Sequence, residues 1–125
     1  MTMEFTEINS SQEAFVAGYG DGGFRMGDSR FEGSMMITPD GFYPWDVSDK
    51  ADISVENLAP ILDASGIEII VIGLGSNMAF LAKDIRAAFE EKKIAVEAMD
   101  TGAAARTYNV LLQEGRLVAA ALIAI

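Results

Sequence analysis

Two short stretches of this chain combine residue types that could do chemistry: Gly73-Leu74-Gly75-Ser76-Asn77 and Asp100-Thr101-Gly102-Ala103-Ala104-Ala105-Arg106. Each follows an apolar run and precedes a helical pattern, the setting in which backbone N–H groups and the helix dipole hold an anion. The first is half of a dinucleotide-binding fingerprint, and Asp100 stands where a ribose-binding acid would. Met78, however, occupies the third glycine position, and the chain has no room for a second nucleotide-binding half. If the strands before both stretches are adjacent and parallel, Gly75, Ser76, Asn77, Thr101, Gly102 and Arg106 meet at one sheet edge. They would then suit a carboxylate or monophosphate, since Asp100 disfavours a highly charged ligand. Tight strand-to-helix turns capped by Ser76 or Asn77 and by Thr101, with Arg106 as a surface ion-pair partner, explain the same residues without a ligand.

Other chemistry is narrowed by composition. With no Cys and no His among 125 residues, thiolate nucleophiles, disulfides, Cys/His zinc sites and an imidazole base are excluded, and no cofactor or transition metal is expected. The carboxylate pairs Asp21 with Asp28 and Asp46 with Asp49 could raise a pKa or take a hard cation, but their spacing matches no calcium loop and suits solvated turns. Nineteen acidic against nine basic side chains give a net charge of −10, which repels phosphate backbones and anionic lipid, so nucleic-acid binding is not expected.

The charge is uneven. Residues 1–66 hold 12 acidic and 3 basic side chains and residues 67–125 hold 7 and 6. The acidic half also carries aromatics, and a candidate partner-binding surface follows from Tyr43, Trp45, Asp46 and Asp49: Trp45 as an anchor if it is partly exposed, the carboxylates steering a partner protein with a basic surface.

The elements that must position these residues are legible from pattern. Glycines crowd residues 18–33, favouring tight turns and short strands. Residues 31–37 read as a strand, Pro39-Asp40-Gly41 as a turn, and residues 42–45 as the partner arm of a hairpin. From Ser54, a possible N-cap, the pattern becomes helix alternating with strand, with Pro60 complicating the helical stripe Leu58, Ile61 and Leu62. Residues 67–72 and 94–99 are expected as buried neighbouring strands joined by a helix over 77–93 whose inner face is Met78, Leu81, Ile85 and Phe89. A second helix over 101–114 faces Tyr108, Leu111 and Leu112 inward and stops at Gly115. The apolar run 117–125 is too short to span a membrane and closes the sheet.

These readings make a single α/β domain with a Gly-rich N-terminal β region over 1–53 and an αβαβαβ core over 54–125, in which the final strand can run either way. Met1-Thr2-Met3-Glu4-Phe5 has neither the basic nor the apolar region of a signal peptide, so the expected location is cytoplasmic.

The succession Gly18-Tyr19-Gly20, Gly23-Phe24-Arg25, Arg30-Phe31-Glu32-Gly33-Ser34, Tyr43-Pro44-Trp45, Gly73-Leu74-Gly75, Thr101-Gly102-Ala103-Ala104-Ala105-Arg106-Thr107-Tyr108-Asn109 and Glu114-Gly115-Arg116 resembles a family of small domains of unknown function. That family occurs in bacteria and archaea and has animal relatives that include the mitochondrial complex I assembly factor three and an adipogenesis-associated protein. The resemblance implies a single three-layer α/β domain with a mixed central sheet and a small N-terminal β region, in agreement with these elements. It implies no reaction, but a protein-interaction or assembly-factor-like role with a peripheral link to membrane-complex assembly or protein export. The competing reading is a small-anion or nucleotide-like binding protein, with or without weak enzymatic turnover.

Overall fold

The computed structural model describes residues 5–8, 14–77 and 79–125. In chain order its strands begin with β1 (Thr6–Glu7), β2 (Val16–Gly20), β3 (Gly23–Met26), β4 (Ser29–Glu32), β5 (Met35–Thr38) and β6 (Gly41–Pro44). Then follow α1 (Ala59–Leu62), β7 (Ile69–Gly73), α2 (Lys83–Glu91), β8 (Ala95–Met99), α3 (Thr101–Gln113) and β9 (Val118–Leu122). Six strands form one mixed sheet in the order β1-β6-β5-β9-β7-β8, and β2-β3-β4 form a second, antiparallel sheet.

Turn chemistry builds the small sheet. Asp21 and Gly22 link β2 to β3 with φ of 53° and 79°, the two positive angles that a type I′ hairpin turn demands. Ser29 pairs with Met26 across Gly27-Asp28, a second two-residue loop. The expected strand over 31–37 is two strands: at Gly33, with φ 86°, the chain leaves the small sheet and enters the large one. Residues 35–44 consequently extend the main sheet, and the small sheet is confined to residues 16–32.

The large sheet is mixed because β9 lies parallel to β7 on one side and antiparallel to β5 on the other. Strands β7 and β9 are apolar at every position because both faces are covered. Ile70, Ile72, Met36, Ala119 and Ala121 point to one face, where Trp45, Leu58, Ile61, Ile85 and Phe89 pack. Ile69, Val71, Ile37, Ala120 and Leu122 point to the other, against Ala104, Ala105 and Tyr108 of α3 and Phe24 and Met26 of the small sheet. The alanines of β9 leave room for covering layers on both sides.

Two further expectations change. Strand β8 is an edge strand, with Ala95 and Glu97 exposed, rather than a buried one. Helix α2 begins at Lys83, not at residue 77, and has Ala82 at its N-cap with no side-chain capping bond. Leu81, Ile85 and Phe89 are buried as the period required, but Leu81 lies in the loop before the helix; Met78 lies outside the described residues. A stripe spaced by four cannot tell a helical residue from a loop residue tucked in ahead of the first turn.

Ser54 is not the N-cap of a helix: the segment opens as a 3₁₀ turn at residues 56–58 whose N-cap is Val55, and Ser54 braces it from one residue before, its hydroxyl accepting from the Asn57 N–H at 3.1 Å while the Asn57 side chain accepts from the Ser54 N–H at 3.0 Å. Pro60 then falls in the first turn of α1, where its missing N–H costs nothing. Helix α3 runs as expected, with Gly115 at φ 79° just past its end.

Candidate functional site

Strands β7, β8 and β9 run parallel, so the loop after β7 and the start of α3 do emerge at one sheet edge, the edge where open α/β sheets place ligands. What the residues do there differs from the anion-site expectation. The Thr101 hydroxyl is wholly buried, donates to the Ile123 carbonyl at 2.7 Å and accepts from the Gly75 N–H at 3.0 Å. The Thr101 N–H in turn donates to the Gly75 carbonyl at 2.8 Å. The N-cap is Asp100 rather than Thr101, its carboxylate accepting from the Ala103 N–H at 3.0 Å. Gly75 and Thr101 are therefore brought together, but their N–H donors are spent on each other and the Thr101 hydroxyl on Ile123, and the carboxylate of Asp100 stands where an anion would.

Ser76 and Asn77 are exposed in the segment that follows β7 and cap no helix. With Gly75 they line a shallow polar cavity of about 240 Å³ together with Asp49, Lys50 and Ile123. Thr101, Gly102 and Arg106 do not line it. The six residues expected to form one ligand site are thus divided between a loop cavity and a helix interface.

Gly102 and Arg106 hold the small sheet to α3. A Cβ on Gly102 would lie 2.9 Å from the Tyr19 hydroxyl, so glycine lets β2 approach the helix. Arg106 donates to that hydroxyl at 2.7 Å. Gly73 serves a similar end, because a Cβ there would meet Thr101 Oγ1 at 2.9 Å and Leu122 at 3.1 Å.

Two residues the site reasoning passed over complete this clamp. The Asn109 side chain accepts from the Val16 N–H and donates to the Val16 carbonyl, both at 2.9 Å, acting as a substitute strand where the β2–β3 register shifts. Tyr108 donates to the Ala14 carbonyl at 2.8 Å, and burial pushes its phenol pKa well above the ordinary value of 10.0. A polar Asn on the inner side of an otherwise apolar helix is the signal that could have flagged this bond.

The expected partner surface also divides. Trp45 is 4% exposed, belongs to the core beside Leu58 and Ile61, and donates from its indole N–H to the Asn57 carbonyl at 3.1 Å, so it is not an accessible anchor. Tyr43 is half-buried, its ring 4.8 Å from that of Phe5. Asp46 and Asp49 are exposed, and Asp49 accepts from the Ala51 N–H at 2.9 Å. The aromatic residue that stands free is Phe80, fully exposed in the loop before α2. Asp21 and Asp28 sit in turns at opposite ends of β3 and form no pair. Among the described residues no group of three or more acidic side chains is placed to hold a metal ion, and no helix is long and apolar enough to cross a membrane.

The fold and this edge define a three-layer α/β domain in which a small Gly-rich sheet is clamped to the last helix. Residues 16–123 match the family described as "Protein of unknown function (DUF498/DUF598)", and the chain belongs to that family. An uncharacterised protein of Rhodobacter capsulatus is 35% identical over 109 residues, covering 86% of this chain and 82% of that protein. The NADH dehydrogenase (ubiquinone) 1 alpha subcomplex assembly factor 3 of Xenopus tropicalis is 32% identical over 123 residues, covering 98% of this chain and 67% of that protein. A crystal structure described as an outer membrane protein from Bartonella henselae matches with a TM-score of 0.85 at 39% identity, covering 91% of this chain and 97% of that one.

Proposed function

We propose that this chain is a protein-interaction module with an assembly-factor-like role in building a respiratory membrane complex. The reading is carried by the 32% identity, over 98% of this chain and 67% of the relative, to a protein named as a NADH dehydrogenase assembly factor. The surface is in keeping with it. Phe80 offers an aromatic side chain with no packing of its own, and aromatics of this kind anchor interfaces. Asp46 and Asp49 remain exposed and suit a partner with a basic surface, whose encounter rate they would raise. Deleting the gene in its own cells should lower the amount of assembled NADH dehydrogenase seen on native gels, with subassemblies accumulating, and re-expression should restore it. An unchanged amount of the complex in the deletion strain would overturn the proposal.

A further inference from the structure

At the surface between α1 and α2 an apolar floor and a charged rim coincide. A cavity of about 300 Å³ opens there, floored by Val55, Ala59, Leu62 and Ala88. Val55 and Ala88 are only partly buried and are continuous with the core that contains Leu62. The floor is therefore an uncovered margin of the core, shaped by the short side chains Ala59 and Ala88.

The rim is charged and one-sided. Glu56 and Asp63 border the cavity from the α1 side, and Glu91 from the end of α2, against Lys92 alone as a cation. All four are exposed. Glu56, Asp63 and Glu91 make no ion pair among the described residues, so their charges are available to an incoming partner.

We infer that this groove is the docking site for a basic amphipathic segment of a partner protein, an apolar side chain entering the cavity and flanking Lys or Arg residues meeting the acidic rim. The inference rests on the interaction-module reading above and names the partner's chemistry. Charge complementarity selects the occupant: the same rim repels anionic lipid headgroups and phosphate backbones, and it repels a second copy of this chain, which carries a net charge of −10. The cavity lies at the small end of the volumes that hold a ligand, enough for a side chain or two and too little for a whole helix to sink in. The apolar anchor supplies affinity while the rim sets rate and salt dependence.

The test uses a defined probe, an amphipathic peptide of about 14 residues built of Leu and Lys with leucines at i, i+3, i+4 and i+7 spacing. Titrated into isotope-labelled full chain, it should move the amide signals of residues 55–63 and 88–92 first and most. Ala88→Trp, which fills the cavity, should weaken the peptide at least tenfold. The triple change Glu56→Lys, Asp63→Lys and Glu91→Lys should do the same and flatten the salt dependence. A peptide with glutamates in place of lysines should not bind. Should Ala88→Trp fail to fold, the charge-reversed variant decides alone. Shifts centred elsewhere on the acidic surface, or affinity unchanged in the folded variants, would overturn the inference. The titration needs no cellular phenotype, so its failure and that of the assembly role can be told apart.

Discussion

The two faces of the six-stranded sheet are held by different forces. On the face covered by α1 and α2, packing is apolar: Trp45, Leu58, Ile61, Ile85 and Phe89 close over Ile70 and Ile72. On the face covered by α3, Phe24 and Met26 are buried as well, but the small sheet is also fixed to the helix by polar bonds from Arg106, Tyr108 and Asn109 to Tyr19, Ala14 and Val16. Apolar burial is non-directional and tolerates some sliding, whereas a two-point bond such as that of Asn109 to Val16 permits one register. A glycine-rich sheet of short strands has few side chains of its own to specify where it sits, and the clamp on α3 makes up that deficit. The opposite face is held mainly by its apolar core, with the Trp45 indole bonded to the Asn57 carbonyl, and it retains the groove between α1 and α2.

The largest break in this comparison should come from Trp45→Ala, which empties the apolar face and leaves the Asn57 carbonyl without its donor. A loss of about 3–5 kcal/mol is expected in urea denaturation. A loss below about 1 kcal/mol would mean that this face is not held by its core. Thr101→Val comes next, because it strands the Gly75 N–H and the Ile123 carbonyl at the edge where both faces meet. It should cost about 2 kcal/mol or more in the same measurement, and hydrogen exchange at Gly75 should speed up.

Tyr108→Phe should have the smallest effect, about 1 kcal/mol, and should confine it to the polar face, with faster exchange in residues 14–32 and little change in α2. It also sharpens the comparison through pH. Because burial raises the folded-state pKa of Tyr108, the folded chain holds the phenol neutral while the unfolded chain ionises it near the ordinary value of 10.0. Its contribution is therefore fully present below pH 10 and falls as pH rises from there toward the raised folded-state value. Alkaline denaturation should steepen above pH 10 in the parent protein and less so in Tyr108→Phe. Identical alkaline curves would show that Tyr108 does not govern that loss.

Much of the architecture was decided within the sequence itself, by local physics. Period and continuity marked strands over 67–72 and 117–125 and a helix over 101–114, found at Ile69–Gly73, Val118–Leu122 and Thr101–Gln113, because a strand covered on both faces must be apolar throughout and a helix must bury one stripe. Asp21-Gly22 and Pro39-Asp40 each form a two-residue turn, the first because Asp and Gly accept the positive φ it requires and the second because proline's fixed φ suits a turn. The absence of Cys and His excluded whole classes of chemistry without any coordinates.

Only the tertiary structure decided what the conspicuous polar and aromatic residues do. Thr101, Gly102 and Arg106 looked like anion-binding residues because a helix start with small residues is the same string whether it faces a ligand or another part of the chain. The structure shows their groups turned to Ile123, Gly75 and Tyr19. Trp45 ends the strand arm expected over 42–45 and Phe80 falls within the helix expected over 77–93, and their sequence neighbours do not say which is covered. Burial of Trp45 depends on Leu58 and Ile61, more than ten residues away, folding back over it, while nothing among the described residues folds over Phe80. Exposure is set by such long-range contacts, which a local pattern does not encode, and the groove between α1 and α2 exists only because two segments separated by β7 come to lie side by side.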